Sequence, residues 1–256
     1  MTDEQTGVQL RVDRIDDPIE HLVRGEIEVD GRMPYSSNAT FLVHVVHDGL
    51  SHPAIYKPTR GERPLWDFEP GLHRREVAAY RLSEAIGVHV VPPTVLRDGP
   101  LGEGSVQWFV LADHREHYFT IYENHPQLHD DLRRIALLDL IANNTDRKSG
   151  HCLLVPPTSG DDDVANDDGA VWAIDNGLCF AAEFKLRTVI WEFGGEPVPE
   201  GLLDAIAPLC DRVPLDVAAL LSDDEVEAIS ERARRVVTGR EFPTDPSGRR
   251  YPWPLV

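Results

Sequence analysis

Residues 141–154, IANNTDRKSGHCLL, form a polar corner that decides how the rest of the chain is interpreted. An apolar helical pattern over residues 130–142 stops here, and an apolar run resumes at Cys152. A crowded polar segment between two buried elements is either an ordinary turn or a functional site. Asp146 and His151 are the candidate functional residues of this corner, because a rigid neighbouring element can hold a polar side chain in a fixed orientation.

The pattern of the chain changes near residue 113. Before this point, β-branched and aromatic runs predict strands, with one helix over residues 73–86. After it, the pattern is mostly helical, with one pair of short strands, HCLLV and AVWAI, around an acidic loop at 156–169. This order predicts an α+β fold of two lobes with a cleft between them. The predicted boundaries are an N-terminal segment at 1–20, a β-rich lobe at 21–113 and a helical lobe at 114–256.

Two local signals are specific enough to locate individual turns and helix ends. Asp48-Gly49 predicts the turn of a β-hairpin within residues 39–58. Ser222 and Glu225 have the spacing of a capping box at the start of a helix. The N-terminal segment alternates weakly, as an edge strand or a loose segment would. The other predicted elements are strands at 25–29, at 88–96 with a break at Pro92-Pro93, and at 105–113, and helices near 200–209, 214–221 and 223–237.

Composition excludes several classes of function. The chain has 256 residues, with 44 acidic and 25 basic side chains and a formal net charge of −19. Nucleic acids and anionic membrane surfaces both require cationic patches, so neither is an expected partner. The three cysteines, Cys152, Cys179 and Cys210, lack metal-site spacing and are expected to be small apolar residues in a reducing compartment. With no signal peptide and no long apolar run, the sequence predicts a cytoplasmic protein without a stable membrane anchor.

Four charged residues lie at the ends of predicted buried elements: Lys57, Glu76, Asp146 and Asp175. Each has an ordinary explanation when it is taken alone. Lys57 would be an edge lysine with its stem along apolar surface, and Glu76 a first-turn acid favoured by the helix dipole. Asp146 would form a turn, and Asp175 with the following Asn-Gly has the sequence of a type I′ hairpin turn.

Taken together and in this order, the four residues fit one mechanism. In phosphoryl transfer, a lysine neutralises nucleotide phosphates and a glutamate orients that lysine. One aspartate then positions the acceptor hydroxyl, and a second aspartate holds Mg²⁺. Catalysis of this kind is mostly positioning and charge stabilisation, which explains why charged groups on two lobes are needed.

Five segments in this order resemble the phosphatidylinositol 3-/4-kinase family, and most of all its type II 4-kinases and their bacterial kinase-like relatives. YSSNATFLV resembles the family's serine-containing phosphate loop, and AIYKP the strand with its ATP-contacting lysine. REVAAYRLSEAIGVHVVPPT resembles the helix with the lysine's partner, followed by a valine-proline strand. NNTDR resembles the catalytic loop and AIDNGLCF the metal-binding segment. The resemblance spans residues 35–180 and implies a bilobal protein-kinase-like fold that binds ATP and Mg²⁺ or Mn²⁺.

The resemblance also implies roles for individual residues. Lys57 would contact the α/β-phosphates and pair with Glu76, while Asp146 would accept the proton of the substrate hydroxyl or orient it. Arg147 would support the catalytic loop, and Asp175 would bind the metal. The residues implied for the phosphate loop, together with nearby backbone N–H groups, are Ser36, Ser37 and Asn38.

His151 departs from the kinase pattern, because it lies five residues after Asp146, where the kinase loop has an asparagine as a second Mg²⁺ ligand. Imidazole suits later transition metals better than Mg²⁺. Three interpretations stay open: His151 binds Mn²⁺ or a weakly held second ion, it hydrogen-bonds a phosphate, or the protein binds nucleotide with little or no turnover. The last describes a pseudokinase that acts as a regulatory or interaction module. Beside an active kinase and a pseudokinase, a third hypothesis for the function is a kinase-fold enzyme that transfers a group other than the γ-phosphoryl group.

The acceptor is also open on sequence grounds. The segment after Asp175 meets the head group in lipid kinases and is often basic there, but here it offers only Lys185 and Arg187 beside Glu183 and Glu192. A protein hydroxyl or a small polar metabolite is therefore expected in preference to a membrane lipid.

Overall fold

The computed structural model describes residues 13–34, 38–65, 68–156 and 169–255. The chain divides into two compact units, and each of them is built from two separate stretches of sequence. The first unit comprises Met1–Arg63 and Pro93–Phe109, and the second Pro64–Pro92 and Val110–Val256. The lobes expected at 21–113 and 114–256 follow linear order, whereas the compact units place Pro64–Pro92 with the later part of the chain.

The first unit is one antiparallel sheet with a short helix. Its five strands lie in the order β1-β2-β3-β5-β4. The elements are α1 (Pro18–Arg24), β1 (Glu26–Arg32), β2 (Phe41–His47), β3 (Leu50–Pro58), β4 (Thr94–Gly99) and β5 (Gly102–Trp108).

The hairpin of β2 and β3 confirms the sequence prediction. Asp48 and Gly49 have φ angles of 51° and 78°, and His47 pairs with Leu50 across the turn. Positive φ at both central residues defines a type I′ turn, whose twist matches that of the flanking strands. This turn fixes the register that places Lys57 near the end of β3, opposite Ser105 of β5.

Within the described part of the first twenty residues, residues 18–20 begin the helix α1, where an edge strand or a loose segment was expected. Asp17 caps α1 by accepting a hydrogen bond from the Glu20 backbone N–H at 2.9 Å, and Pro18 is the first helical residue. Proline costs nothing there, because the first N–H groups of a helix have no intrahelical partner. The core that α1 and the sheet share is Leu22, Ile27, Val43, Val45, Ala54, Tyr56, Val95 and Val106.

The second unit is mostly helical and contains one two-stranded sheet. Its strands, β6 and β7, are the pair that the sequence predicts, and they run antiparallel with Cys152 opposite Ala173. The acidic loop expected at 156–169 falls almost wholly outside the described residues. The elements are α2 (Leu72–Ala85), α3 (Tyr118–Asn124), α4 (His129–Ala142), β6 (Cys152–Val155), β7 (Ala170–Ala173), α5 (Glu200–Ile206), α6 (Leu215–Ala218) and α7 (Asp223–Gly239).

The periodic helices lie close to their predicted positions. The helix α2 begins and ends one residue earlier than the predicted 73–86, and α4 begins one residue earlier than the predicted 130–142. The capping box of α7 is confirmed, because the Ser222 hydroxyl accepts from the Glu225 N–H and the Glu225 carboxylate from the Ser222 N–H.

Two predicted strands and one predicted helix need correction. The strand expected over 88–96 begins only at Thr94, and that expected over 105–113 is β5, which ends at Trp108. The helix expected near 214–221 is present but shorter, since α6 covers only Leu215–Ala218. The break predicted at Pro92-Pro93 is present, and only the part after it forms a strand, because proline removes the N–H that a strand ladder needs. Among the described residues, no helix is long and apolar enough to cross a membrane.

Candidate active site

The polar corner begins where α4 ends. Asn143 takes a left-handed conformation, with φ of 53°, and terminates the helix. Its side-chain amide donates to the carbonyls of Ala181 and Glu183 at 2.8 and 2.7 Å, and its amide oxygen accepts from the Lys185 N–H at 2.9 Å. One completely buried asparagine thereby fixes both the direction of the chain after α4 and the segment that follows Asp175.

Arg147 is the centre of the corner and is completely buried. Its Nε and Nη2 form a forked ion pair with Asp139 of α4, with Nη2 at 2.8 Å from Oδ1 and Nε at 2.9 Å from Oδ2. Its remaining contacts go from Nη1 to the Ile174 carbonyl at 2.6 Å and from Nη2 to Asn176 Oδ1 at 2.6 Å. Burial alone lowers the pKa of Arg147, but the Asp139 carboxylate overcomes this and holds the pKa above its usual value.

This network ties the corner to the segment after β7. Asn144 donates to Asp139 Oδ1 at 3.0 Å, and its own Oδ1 accepts from the Asp146 N–H at 2.9 Å. Asp139 therefore anchors the backbone of Asp146 through Asn144, and it anchors the segment with Asp175 through Arg147 and Asn176. Preorganisation of this kind is what a catalytic constellation needs, because misplaced groups lose most of their effect.

Asp146 carries its carboxylate at the half-buried rim of the corner. Lys148 places Nζ 3.2 Å from Asp146 Oδ2. Burial raises the pKa of Asp146 and the nearby Asp175 adds to the rise, while Lys148 opposes it. A carboxylate of this kind accepts a proton more readily than one in water, and it has a cation beside it.

Asp175 lies just after β7 in a left-handed conformation, with φ of 58°. The sequence also fits a hairpin turn at this point, but no strand follows within residues 176–199, all of which the structure describes. Instead, the Asn176 N–H donates to Glu76 Oε2 of α2 at 2.9 Å. Gly177 allows this close approach, since a Cβ there would be 3.3 Å from Glu76 Oε1.

His151 connects the two aspartates. Its Nδ1 lies 3.1 Å from the Asp146 carbonyl oxygen, and its Nε2 lies 3.4 Å from Asp175 Oδ2. With the proton on Nδ1, the ring donates to the carbonyl and turns a lone pair toward Asp175, which is the usual arrangement of a metal-binding histidine. Nδ1 also lies 3.4 Å from the Lys148 backbone N. In the tautomer with the proton on Nε2, Nδ1 accepts from the Lys148 N–H and Nε2 donates to the Asp175 carboxylate.

The donor set fits a divalent ion that phosphate and water also coordinate. Among the described residues, no cluster of three or more His, Cys, Asp or Glu side chains could enclose a metal. Asp175 and His151 nevertheless supply one carboxylate oxygen and one imidazole nitrogen side by side. Mg²⁺ and Mn²⁺ in phosphoryl-transfer sites are held by one or two protein ligands plus substrate oxygens, and an imidazole ligand favours Mn²⁺.

The second unit thus brings together five of the residues that the sequence analysis selected: Glu76, Asp146, Arg147, His151 and Asp175. Lys57 and Asn38 belong to the first unit, where Asn38 Oδ1 accepts from the Arg63 N–H at 3.0 Å. Ser36 and Ser37 lie outside the described residues. The pairing of Lys57 with Glu76 stays a prediction.

Sequence reasoning missed Asp139, Asn144 and Asn176. Asp139 is 1% exposed and Asn176 is also 1% exposed, so both are buried polar groups that need partners. The signal that could have revealed Asp139 is an acid within the apolar stripe of α4, flanked by leucines on both sides. Asn176 appeared only as a turn residue, because Asp-Asn-Gly is a strong turn signal.

The fold is kinase-like. The structure of a Golgi casein kinase with Mn/ADP bound aligns with a TM-score of 0.54 at 14% identity, over 93% of this chain and 79% of that one. Hydra Fam20 with sugar aligns with a TM-score of 0.54 at 13% identity, over 91% of this chain and 92% of that one. No family model matches the sequence.

The family follows from a closer relative. Protein Rv2133c of Mycobacterium tuberculosis (strain ATCC 25618 / H37Rv) is 35% identical over 276 residues, covering 93% of this chain and 95% of that protein. The chain belongs to the family of Protein Rv2133c. The narrower likeness to type II phosphatidylinositol 4-kinases stays a resemblance of sequence motifs.

Proposed function

We propose that the protein is an ATP-dependent phosphotransferase of the kinase type, which transfers the γ-phosphoryl group of ATP to a hydroxyl. The observation that carries this proposal is the joint anchoring of Asp146 and Asp175. Asp139 holds one of them through Asn144 and the other through Arg147 and Asn176. Two aspartates fixed in this way match the needs of phosphoryl transfer, which depends on positioning and charge more than on covalent chemistry.

Asp146 is the catalytic residue of this proposal. Its carboxylate accepts the proton of the acceptor hydroxyl as the oxygen attacks the γ-phosphorus, or orients that hydroxyl for attack. Lys148, at 3.2 Å, lies where it can offset the negative charge of the transferring group. Arg147 is buried away from any substrate, so its part in the mechanism is to position the corner.

Asp175 and His151 are the residues that would hold Mg²⁺ or Mn²⁺. When bound, the ion would supply positive charge to the phosphate oxygens and fix their orientation. The Golgi casein kinase structure with Mn/ADP bound supports a divalent ion and a nucleotide as the ligands of this fold. The His151 ring, hydrogen-bonded through Nδ1 to the Asp146 carbonyl, is already oriented to present Nε2.

The remaining nucleotide contacts are assigned by the motif resemblance. Lys57 contacts the α/β-phosphates, Glu76 pairs with Lys57, and the serines of the phosphate loop, with Asn38, cap the β/γ-phosphates. Glu76 is 2% exposed and accepts a hydrogen bond from the Asn176 backbone, which links its position to the metal-binding segment.

The acceptor we favour is a hydroxyl of a protein or of a small polar metabolite. Lys185, one of the two basic residues after Asp175, lies 3.7 Å from Glu183 Oε2, which neutralises part of its charge. The formal net charge of −19 also opposes contact with an anionic bilayer. A lipid head group is the less favoured acceptor of the same chemistry.

A pseudokinase is the second candidate, and the His151 geometry is the observation in its favour. In the tautomer that accepts from the Lys148 N–H, the imidazole Nε2 donates to Asp175 and occupies the carboxylate that would bind the metal. A protein in that state would hold nucleotide weakly or without turnover and would act as a regulatory module.

Transfer of labelled phosphate from γ-³²P-ATP separates these proposals. With Mn²⁺ or Mg²⁺ present, we expect wild-type protein to hydrolyse ATP or to label itself or a generic protein acceptor. Asp146→Asn should reduce this rate by roughly 100-fold or more while nucleotide binding persists. Lys57→Ala should weaken nucleotide binding, and the exposed Asp130→Asn serves as the control that leaves both unchanged. Nucleotide binding without transfer in any condition would favour the pseudokinase, and the absence of nucleotide binding would reject both.

A further inference from the structure

A pocket apart from the polar corner lies in the second unit, at the end of α7. It is a cleft of about 210 Å³. Its apolar wall includes Leu140, Phe184 and Val236, and its charged groups are Arg232, Arg235 and Glu241. The lining carries two positive charges and one negative charge, so the cleft has a net positive balance within a strongly acidic protein.

Arg232 is the unusual residue of this cleft, because its buried guanidinium has no carboxylate within ion-pair distance among the described residues. The residue is 5% exposed. Its Nε donates to the Ile141 carbonyl at 2.7 Å and its Nη1 to the Ala181 carbonyl at 3.3 Å. Within the part of the chain that the structure describes, Nη2 is buried and has no hydrogen-bond partner.

The charge of Arg232 persists at neutral pH in spite of this environment. Burial lowers its pKa to about 10, which still leaves the guanidinium protonated. A buried cation with an unsatisfied N–H is costly, so such a group calls for a partner, which a water, an ion or a ligand can supply. Arg147, by contrast, has its charge matched by Asp139 within the protein.

We propose that this cleft binds a small organic monocarboxylate with an apolar body. The carboxylate would pair with the Arg232 guanidinium, and the apolar body would lie against Leu140, Phe184 and Val236. Ligand pockets commonly combine an apolar lining with a few polar groups that fix orientation, and arginine is well suited to carboxylates.

The chemistry of the cleft favours a carboxylate over inorganic phosphate. A phosphate dianion needs several donors to replace its hydration, whereas Arg232 has two of its donor groups committed to backbone carbonyls. An apolar cavity of about 150 Å³ is large enough to bind benzene, so this cleft has room for a body as large as a single aromatic ring. Phenylacetate has this size and charge, and phenylacetamide is its neutral isostere.

Calorimetric titration of the full chain with phenylacetate, phenylacetamide and inorganic phosphate tests the proposal. We expect saturable binding of phenylacetate, with the amide and the phosphate at least roughly 10-fold weaker. Arg232→Gln should abolish the preference for the carboxylate over the amide, because it removes the charge and keeps an N–H donor. Arg134→Gln is the matched control, since it removes an arginine charge from an exposed ion pair on α4.

A second variant keeps the test decisive if Arg232→Gln fails to fold. Phe184 is 38% exposed, so Phe184→Asp should preserve the fold while it places a negative charge on the wall of the cleft. We expect this variant to lose phenylacetate binding. The proposal is overturned if wild type shows no saturable binding, if amide and carboxylate bind equally, or if Phe184→Asp binds phenylacetate as wild type does.

Discussion

Arg147 and Arg232 are both buried arginines of the second unit, but their surroundings differ. Arg147 has a carboxylate partner, a buried amide and a backbone carbonyl, and it joins α4 to the segment after β7. Arg232 has two backbone carbonyls and one N–H group without a hydrogen-bond partner among the described residues. A buried charge can therefore serve two purposes. The network of Arg147 is closed, because a carboxylate matches the charge, and it positions a site. The network of Arg232 is incomplete, because one N–H lacks a partner among the described residues, and it is suited to a ligand.

The closed network should respond most strongly to mutation. Asp139→Ala leaves the Arg147 guanidinium buried and unpaired, so we expect the free energy of unfolding to fall by roughly 3–5 kcal/mol in urea denaturation. Asp130→Ala, which removes an 81% exposed partner of Arg133, should change it by less than about 0.5 kcal/mol. Similar effects for the two variants would show that the Asp139–Arg147 network does not hold the corner together.

Mutation in the incomplete network of Arg232 should lower the free energy of unfolding less. Arg232→Met removes hydrogen bonds to two carbonyls, but it also removes the cost of burying a charge without a carboxylate. We expect a loss of about 1–2 kcal/mol in the free energy of unfolding, measured by the same denaturation. Phenylacetate should stabilise wild type and leave Arg232→Met unchanged. A loss as large as that of Asp139→Ala would erase the distinction between the two arginines.

Mutation of Asp146 should change the free energy of unfolding least of the three, and it should raise this free energy instead of lowering it. Because burial raises its pKa, the folded protein holds this proton more tightly than the unfolded chain does. Stability is therefore lost as pH rises from the unfolded pKa through the raised folded pKa. We expect Asp146→Asn to gain about 0.5–1 kcal/mol at neutral pH while transfer is lost, as active-site residues often trade stability for function.

The pH profile provides the control for this prediction. The advantage of Asp146→Asn over wild type should shrink as the pH is lowered to about 4 and below, where the carboxyl becomes protonated in the unfolded chain as well as in the folded protein. Denaturation midpoints at several pH values measure it. An advantage that is constant with pH would mean that the titration of Asp146 is not its source.

Local patterns predicted much of the fold, because periodicity and turn chemistry act over a few residues. The hairpin at Asp48-Gly49, the helices α2 and α4 and the capping box of α7 are of this kind. The discontinuous units could not be predicted in the same way, since the packing of Pro64–Pro92 with the later chain depends on contacts far apart in sequence.

The candidate site was predicted in part for a similar reason. Asp146, His151 and Asp175 were found because polar residues at the ends of apolar elements are visible in sequence. Asp139 was not found, because its role depends on its ion pair with Arg147, which lies eight residues later. Arg232 could not be recognised either, since nothing in a helical sequence shows which arginine lacks a carboxylate.

The central claim is that Asp175, with His151, holds a metal–nucleotide complex beside Asp146. Titration calorimetry with ATP, with and without Mn²⁺ or Mg²⁺, tests it most directly. We expect saturable binding that requires the metal, is at least roughly 10-fold weaker in Asp175→Asn, and is unchanged in Arg232→Met. His151→Asn should shift the preference from Mn²⁺ toward Mg²⁺. Binding that is indifferent to metal and to Asp175, or the absence of binding with both ions, would contradict the claim.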